Sequence, residues 1–195
     1  MKYFKTLENL PILDLYDEFV RLFNNNTINW YKSNKTYVKD QICINSTVDK
    51  KEDIHYGRGS LVLDWDNYYH DDNGSIIIPK RKNILKESDF TVLCEQFKGT
   101  LFEDVYNSLT TQYDIGRIRI MNSKPKTCLT WHEDNTNRIH YPIKTQEGCF
   151  MLIEDEVLHL KQHQWYYTNT LPKHTAFNAS KEDRLHLVVV VLDER

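Results

Sequence analysis

Two histidines and one aspartate in the second half of the chain have the residue types and spacing of a metal site. His132 and Asp134 are separated by one residue, and His174 follows much later, soon after Pro172. In an extended segment, residues i and i+2 point to the same side, so His132 and Asp134 would face one point while Glu133 faces away. Two imidazoles and one carboxylate leave coordination positions open for a cosubstrate and O2, as in non-haem Fe(II) centres. We therefore predict that these three residues bind Fe(II).

An arginine follows the second histidine at the start of an apolar run. Arg184 lies ten residues after His174 and opens the run 185–192. A guanidinium can hold a carboxylate through two charge-assisted hydrogen bonds, so Arg184 would bind the far carboxylate of 2-oxoglutarate. Arg138 and His140 share one strand face and can reach the same cavity. Each feature alone occurs often by chance, whereas their order along the chain indicates an oxygenase.

Short β-type runs separated by turn residues begin at Arg117 and continue to the end of the chain. They are 117–121, 127–131, 138–143, 149–153, 164–168 and 185–192. Short strands at nearly regular spacing favour an antiparallel sandwich or barrel over alternating strands and helices. We therefore predict a mainly β fold with flanking α-helices, in which an antiparallel jelly roll positions the metal ligands.

The first half of the chain has mixed patterns. Apolar spacing predicts helices over 11–24 and 97–113, short strands over 41–44 and 60–63, and a loop over 64–74. We predict a single domain over 1–195, with a helix-rich part and supporting strands over 1–115 and the metal-binding jelly-roll core over 116–195.

Composition excludes several classes of protein. The 195 residues carry a formal charge of −3, with acids and bases mixed, so we expect no nucleic-acid partner. No apolar run approaches the ~20 residues of a membrane span, and we expect neither a membrane association nor a signal peptide. Four cysteines lie far apart without a CxxC pair, which favours reduced thiols in a cytoplasmic protein. The sequence indicates no oligomeric state.

Three more residues are candidates for contact with a substrate. Arg58 lies between Gly57 and Gly59 and could reach a substrate carboxylate. Trp131 and Trp165 are candidates for the pocket wall, with packing in the core as the alternative for both. His186 would share a strand face with Arg184, and we expect it to have a structural role.

The second half of the chain resembles the aspartyl/asparaginyl β-hydroxylase-like branch of the Fe(II)/2-oxoglutarate-dependent oxygenases. The matching segments are 117–121, 131–134, 138–143, 147–149, 174–178 and 184–187, within roughly residues 115 to 193. The resemblance implies a double-stranded β-helix (a jelly roll, cupin-like), the cofactors Fe(II), 2-oxoglutarate and O2, and hydroxylation of an unactivated C–H.

The resemblance also implies roles for single residues. His132 and His174 match the metal ligands, and Arg184 matches the cosubstrate anchor. Arg138 and His140 match an R-x-H strand that contacts the carboxylate of the cosubstrate or substrate, and Arg119 falls near a position that lines the cosubstrate.

Asp134 bears on the choice of substrate. The animal peptidyl aspartyl hydroxylases lack the metal carboxylate, whereas the similar bacterial free-amino-acid hydroxylases, such as the proline hydroxylases, retain it. We therefore expect hydroxylation of a free amino acid or a similar small carboxylate. One alternative is a hydroxylase of a peptide or protein residue, which an open groove would favour. The other is a non-catalytic, cupin-like metal- or ligand-binding module, which predicts no substrate-dependent succinate formation.

Overall fold

The computed structural model of the chain describes residues 1–34 and 40–194. In those residues there are two α-helices and fourteen β-strands. In chain order they are β1 (Phe4–Leu7), α1 (Leu15–Asn24), β2 (Gln41–Cys43), β3 (Asn45–Ser46), β4 (Tyr69–His70), β5 (Ile76–Ile77), β6 (Val92–Leu93), α2 (Leu101–Gln112), β7 (Tyr113–Ser123), β8 (Thr127–Cys128), β9 (Asn137–Lys144), β10 (Cys149–Ile153), β11 (Glu156–Leu158), β12 (Trp165–Thr168), β13 (His174–Asn178) and β14 (Arg184–Glu194).

Most of these strands form two antiparallel sheets. One sheet has six strands in the order β1-β12-β9-β14-β7-β2, and the other has four in the order β11-β10-β13-β8. Phe4 and Tyr166 of the first sheet share an apolar cluster with Met151 and Ile153 of the second, so the two sheets pack face to face. The fold is a jelly roll, a double-stranded β-helix, which confirms the predicted fold class.

The six-stranded sheet has one apolar face and one polar face. Ile118, Ile120 and Leu187 belong to the main apolar core, which the helices cover. Alternate residues of the same strands, including Arg119 and His186, line a cavity on the other face. Because side chains alternate along a strand, the sequence of β7 and β14 assigns a buried arginine or histidine to one side and a core residue to the other.

Helix α1 begins where an aspartate can cap it. The Asp14 carboxylate accepts hydrogen bonds from the first-turn backbone, including one of 3.3 Å from the N–H of residue 16. Leu15, Phe19 and Leu22 recur at helical spacing and are buried. Helix α1 therefore starts later than the helix predicted over 11–24, because residues 11–13 precede the capping residue Asp14.

Helix α2 shows the same effect. The hydroxyl of Thr100 accepts a hydrogen bond of 3.2 Å from the N–H of Phe102, and the helix buries Phe102, Val105 and Leu109. The predicted helix over 97–113 is thus shortened at both ends, since its last residue already begins β7.

Both α-helices of the described residues lie within 1–115, the part predicted to contain helices with supporting strands. They span 10 and 12 residues, and the strands β1 and β2 of the same part are the two edges of the six-stranded sheet. The boundary between 115 and 116 falls inside β7. The predicted strand 60–63 is reduced to one bridge between Leu63 and Lys80, and the predicted loop 64–74 contains β4.

Strand predictions in the second half fared better. The run 149–153 coincides with β10, and most of the other runs differ from the observed strands by a few residues, although only 127–128 of the run 127–131 form β8. Strands β11 and β13 had no predicted counterpart. Among the described residues, neither helix has the length and apolar character needed to cross a bilayer.

Candidate active site

The three predicted metal ligands lie on two neighbouring chain segments of the four-stranded sheet. His174 is the first residue of β13, and its backbone N–H and C=O form paired hydrogen bonds of 2.9 and 3.1 Å with His132. The backbone N–H of Asp134 donates to Thr170 at 3.0 Å. The segment that follows β8 therefore continues alongside β13, which brings residues far apart in sequence to one place.

The side-chain geometry of these residues fits a divalent metal. One ligand atom from each of His132, Asp134 and His174 lies within 4.8 Å of the others. The Nδ1 of His132 is 2.7 Å from the carbonyl of Thr130, and the Nδ1 of His174 is 3.0 Å from that of Pro172. A carbonyl only accepts, so each Nδ1 carries the proton and each Nε2 presents a lone pair. Backbone carbonyls thus fix both imidazoles in the tautomer that binds a metal.

The third ligand is held in its ionised form. Asp134 Oδ2 lies 3.6 Å from His174 Nε2 and 3.1 Å from Arg138 Nη2. Burial opposes ionisation of this carboxyl group, but its close contact with His174 and the charge of Arg138 outweigh the burial and lower the pKa of Asp134. The triad therefore offers two imidazole nitrogens and one carboxylate oxygen, which is the donor set that the sequence predicted.

The triad opens onto a cavity of about 910 Å³ between the two sheets. Of the candidates from the sequence, the residues that line it are His132, Asp134, His174, Arg119, Arg138, His140 and Arg184. The structure thus brings together every predicted metal and cofactor-binding residue. Cavity volumes of roughly 300–1,000 Å³ are typical of small-molecule sites.

Arg184 is a buried cation that faces this cavity. It is 8% exposed, and its Nε has no hydrogen-bond partner within residues 1–34 and 40–194. Burial lowers the pKa of Arg184. A guanidinium in this position can bind an anionic ligand, because a carboxylate supplies the charge and the two acceptors that it lacks.

Two buried histidines lie on the cavity wall near Arg184. The rings of His140 and His186 meet edge to face at 5.9 Å. Within the described residues, both ring nitrogens of His140 and the Nε2 of His186 lack partners. Burial, reinforced by Arg184, lowers the pKa of His140 to about 3 and that of His186 well below its usual value. Both are therefore neutral imidazoles with hydrogen-bonding capacity towards a ligand.

One ion pair at the cavity edge was not predicted. Arg117 donates from Nε and Nη2 to Glu87 at 2.9 and 2.6 Å, and it also bonds the carbonyls of Gly57 and Gly59. Arg117 thereby ties the segment around 57–59 to β7. The sequence offers no signal for it, because the partners are far apart and neither belongs to a motif.

The predicted substrate contacts fit the structure poorly. The assignment of Trp165 to the pocket wall is wrong, and the alternative of packing in the core is correct. Trp165 is 1% exposed in the apolar core, and its Nε1 donates to the carbonyl of Pro11. Arg58 pairs with Asp66 and stacks on the ring of Tyr31 at 3.4 Å, so a structural partner already neutralises it. Both contacts come from residues outside the glycine-flanked motif, which explains why the motif around Arg58 misled.

Trp131, the third predicted substrate contact, lies outside the cavity wall. Its side chain is 54% exposed, although it directly precedes a metal-ligand candidate. Because successive residues of an extended segment point to opposite sides, the neighbour of His132 faces away from the metal. The assignment of Trp131 to the pocket wall is therefore wrong for this structure.

A known protein family matches most of the chain. Residues 14–193 match the sequence model of the family described as aspartyl/asparaginyl β-hydroxylase. No curated protein matches the chain.

Several solved structures share part of the fold. A 2-oxoglutarate-Fe(II) oxygenase family oxidoreductase from Burkholderia pseudomallei is 14% identical, with a TM-score of 0.36 over 46% of this chain and 48% of its own. A cupin domain from Bordetella pertussis is 13% identical, with a TM-score of 0.35 over 38% of this chain and 79% of its own. A predicted oxalate decarboxylase from Thermotoga maritima is 16% identical, with a TM-score of 0.34 over 40% and 67%. These TM-scores are too low to support a functional argument.

Proposed function

This chain belongs to the aspartyl/asparaginyl β-hydroxylase family, and we propose that it is an Fe(II)- and 2-oxoglutarate-dependent dioxygenase. We propose a free amino acid or a similar small carboxylate as its substrate, hydroxylated at a C–H bond. The observation that carries the proposal is the triad of His132, Asp134 and His174, whose ligand atoms lie within 4.8 Å of one another at the wall of a cavity. The same cavity holds a buried arginine that has no acidic partner among the described residues.

The triad supports iron as the metal. His132, Asp134 and His174 would bind it through the two Nε2 atoms and a carboxylate oxygen. Two imidazoles and a carboxylate on one face suit Fe(II) and leave the opposite positions for a cosubstrate and O2. Arg138 holds the carboxylate in place through its 3.1 Å contact with Asp134.

The opposite wall supports 2-oxoglutarate. Arg184 would bind one carboxylate, and the neutral imidazoles of His140 and His186 would donate hydrogen bonds to the ligand. Bound iron and 2-oxoglutarate together supply the activation of O2 that C–H hydroxylation requires. The protein's own contribution is to orient the ligands and to exclude water between the two sheets.

The size and lining of the cavity favour a small substrate. Its volume of about 910 Å³ lies within the range of small-molecule sites, and residues 59–62 together with Trp65 and Leu85 form part of its wall. A peptide or protein substrate would need a groove that accepts a longer chain. The exposed side chains of Leu129 and Trp131 near the metal ligands are the feature that such a substrate would use.

A spectroscopic titration followed by turnover tests the proposal. Anaerobic Fe(II) and 2-oxoglutarate should give a weak metal-to-ligand charge-transfer band, absent in His174→Ala and weakened in Arg184→Gln. O2 and a panel of free amino acids should then yield succinate with at least one of them. A band without stimulation by any amino acid would favour a peptide substrate. If metal-loaded protein gives no band, the chain is a binding module and the oxygenase proposal fails.

A further inference from the structure

The polar face of the six-stranded sheet carries two buried arginines that lack a carboxylate partner among the described residues. Arg184 opens β14 in register with Ser123 of β7, whereas Arg119 of β7 is in register with Val188 of β14. Because Arg184 and Val188 lie four residues apart on one strand, the two arginine backbones are separated by roughly 13 Å along the sheet. Both line the cavity, so they mark two distinct positions in it.

Arg119 is held in place but not neutralised. It is 8% exposed, and its Nη1 donates to Gln41 Oε1 at 3.2 Å and to the carbonyl of Gly59 at 3.5 Å. The Gln41 oxygen also accepts from the N–H of Gly59 at 3.0 Å, which fixes its orientation. The Nε of Arg119 is buried without a partner in residues 1–34 and 40–194. Burial and repulsion from Arg117 lower the pKa of Arg119.

The neighbouring arginines already have partners. Arg117, two residues earlier on the same face, forms a two-pronged ion pair with Glu87. Arg138 contacts Asp134 at 3.1 Å and donates to the carbonyl of Thr136 at 2.7 Å. Both cations are therefore committed to structure or to the metal carboxylate, although the family resemblance gave Arg138 a share in binding a ligand carboxylate.

A buried guanidinium without a counter-ion is costly, because burial removes its hydration and a few hydrogen bonds to neutral groups do not neutralise its charge. A carboxylate matches the planar fork of arginine with two parallel hydrogen bonds and neutralises its charge. Arg184 can satisfy only the anion at its own position. Arg119 therefore needs a second anion at the other position.

We propose that Arg119, oriented by Gln41, binds a carboxylate of the substrate at a subsite distinct from that of Arg184. The identification of the anion as the substrate rests on the proposed function, whereas the presence of an anion-binding subsite at Arg119 does not. The substrate class that follows is a carboxylate anion, and a neutral amide of the same shape is excluded.

Binding of propionate, with propionamide as the neutral match, tests the subsite without metal or turnover. The Arg184→Gln variant removes the other cation, so its melting temperature should rise with propionate and not with propionamide at constant ionic strength. The rise should disappear in Arg184→Gln/Arg119→Gln and persist in Arg184→Gln/Arg119→Lys. Arg21→Gln changes an exposed arginine on α1 and should leave the wild-type response intact.

Two results would overturn the subsite. One is the absence of a propionate effect in Arg184→Gln, and the other is an equal effect in the double variant with Gln at 119. The variant with Lys at 119 distinguishes loss of the charge from loss of the fold, because it changes the side chain but keeps the positive charge.

Steady-state kinetics assign the anion to the substrate. Arg119→Gln should raise KM for the stimulating amino acid about 10- to 100-fold, as expected for a lost charged hydrogen bond, and change KM for the cosubstrate by less than about threefold. A rise in the cosubstrate KM instead would place Arg119 in the cosubstrate site and overturn the assignment. If wild-type protein binds no 2-oxoglutarate in the presence of metal, the proposed function fails, and the propionate result still decides the anion subsite.

Discussion

At the scale of single residues, the buried arginines that line the cavity are of two kinds, those with a carboxylate partner and those without one in the described residues. Arg117 and Arg138 have carboxylate partners within the protein, whereas Arg119 and Arg184 have none in the part of the chain that the structure describes. The paired cations can shape the site whether or not a ligand is bound. The unpaired cations gain most from an anionic ligand, so burial and pairing together, more than residue type, distinguish structural from binding arginines.

The ion pair between Glu87 and Arg117 should make stability depend on pH. Burial opposes ionisation of Glu87, but the hydrogen bonds and charge of Arg117 prevail and lower its pKa from the ordinary 4.5. A carboxyl whose pKa is lowered by folding stabilises the protein above its unfolded pKa, and the stabilisation is lost as pH falls through the folded pKa. We therefore expect Glu87→Gln to reduce the unfolding free energy by about 1–3 kcal/mol at pH 7.

Urea unfolding at a series of pH values checks this expectation. The difference between wild type and Glu87→Gln should shrink as pH falls below about 4.5, where the carboxyl group begins to bind a proton in the unfolded state, and should vanish once the folded state is protonated as well. Glu182→Gln is the matched control, because its ion pair with Lys144 is exposed and should contribute at most about 1 kcal/mol. A difference that stays constant from about pH 7 to about pH 3 would mean that Glu87 acts through packing and not through charge.

At the scale of elements, helix α2 supports the sheet from the face opposite the cavity. It packs on β7 and buries Phe102, Val105 and Leu109 in the main core. The cap hydroxyl of Thr100 both accepts from Phe102 and donates to the carbonyl of Phe97 at 2.6 Å. Thr100→Ala should therefore cost about 0.5–2 kcal/mol of stability, as lost N-caps do.

Thermal or urea unfolding measures this loss, with Thr100→Ser as the control that keeps the hydroxyl. Metal affinity should remain within about twofold of wild type, because the cap lies behind the sheet and the ligands lie in front of it. A large fall in metal affinity without a fall in stability would show that α2 positions the triad directly.

The residue pattern along the chain predicted strands well where turn residues bound them. It predicted them poorly where a strand exists only because it forms hydrogen bonds with a neighbouring strand. The run 149–153 is bounded by turns and coincides with β10. The sequence did not predict strand β13, because its apolar content is low. It forms a strand because it pairs with β10 and β8. The run 60–63 looks equally strand-like but finds only one bridge, between Leu63 and Lys80.

The candidate site shows the same division. The spacing of His132 and Asp134 predicted that both side chains face the same side. The order of residues along the chain predicted that His174 and Arg184 belong to the same site. Spacing could not separate Trp165 from the pocket, because its burial depends on the helices of a distant segment. Partners such as Glu87 or Gln41 depend on tertiary pairing and leave no trace in local sequence.

At the scale of the whole molecule, the six-stranded sheet separates stability from binding. One face packs with the helices in the main core, and the other carries the charged and polar side chains of the cavity. Ligand contacts can therefore change on one face while the core on the other stays intact. The triad closes the cavity from the smaller sheet, so both sheets must be folded for ligands to bind.

Ligand binding should consequently stabilise the fold in a fixed order. Mn(II), an inert substitute for Fe(II), should raise the melting temperature alone, and 2-oxoglutarate should add to the rise mainly when metal is present. A ligand at about 100 times its Kd stabilises the native state by about 2.7 kcal/mol, which is a measurable shift. Differential scanning calorimetry with and without EDTA measures both steps. His174→Ala should lose both, and Arg184→Gln should keep the metal step while losing most of the second. An equal effect of 2-oxoglutarate with and without metal would mean that the arginine alone holds the dicarboxylate and that the triad plays no part in binding it.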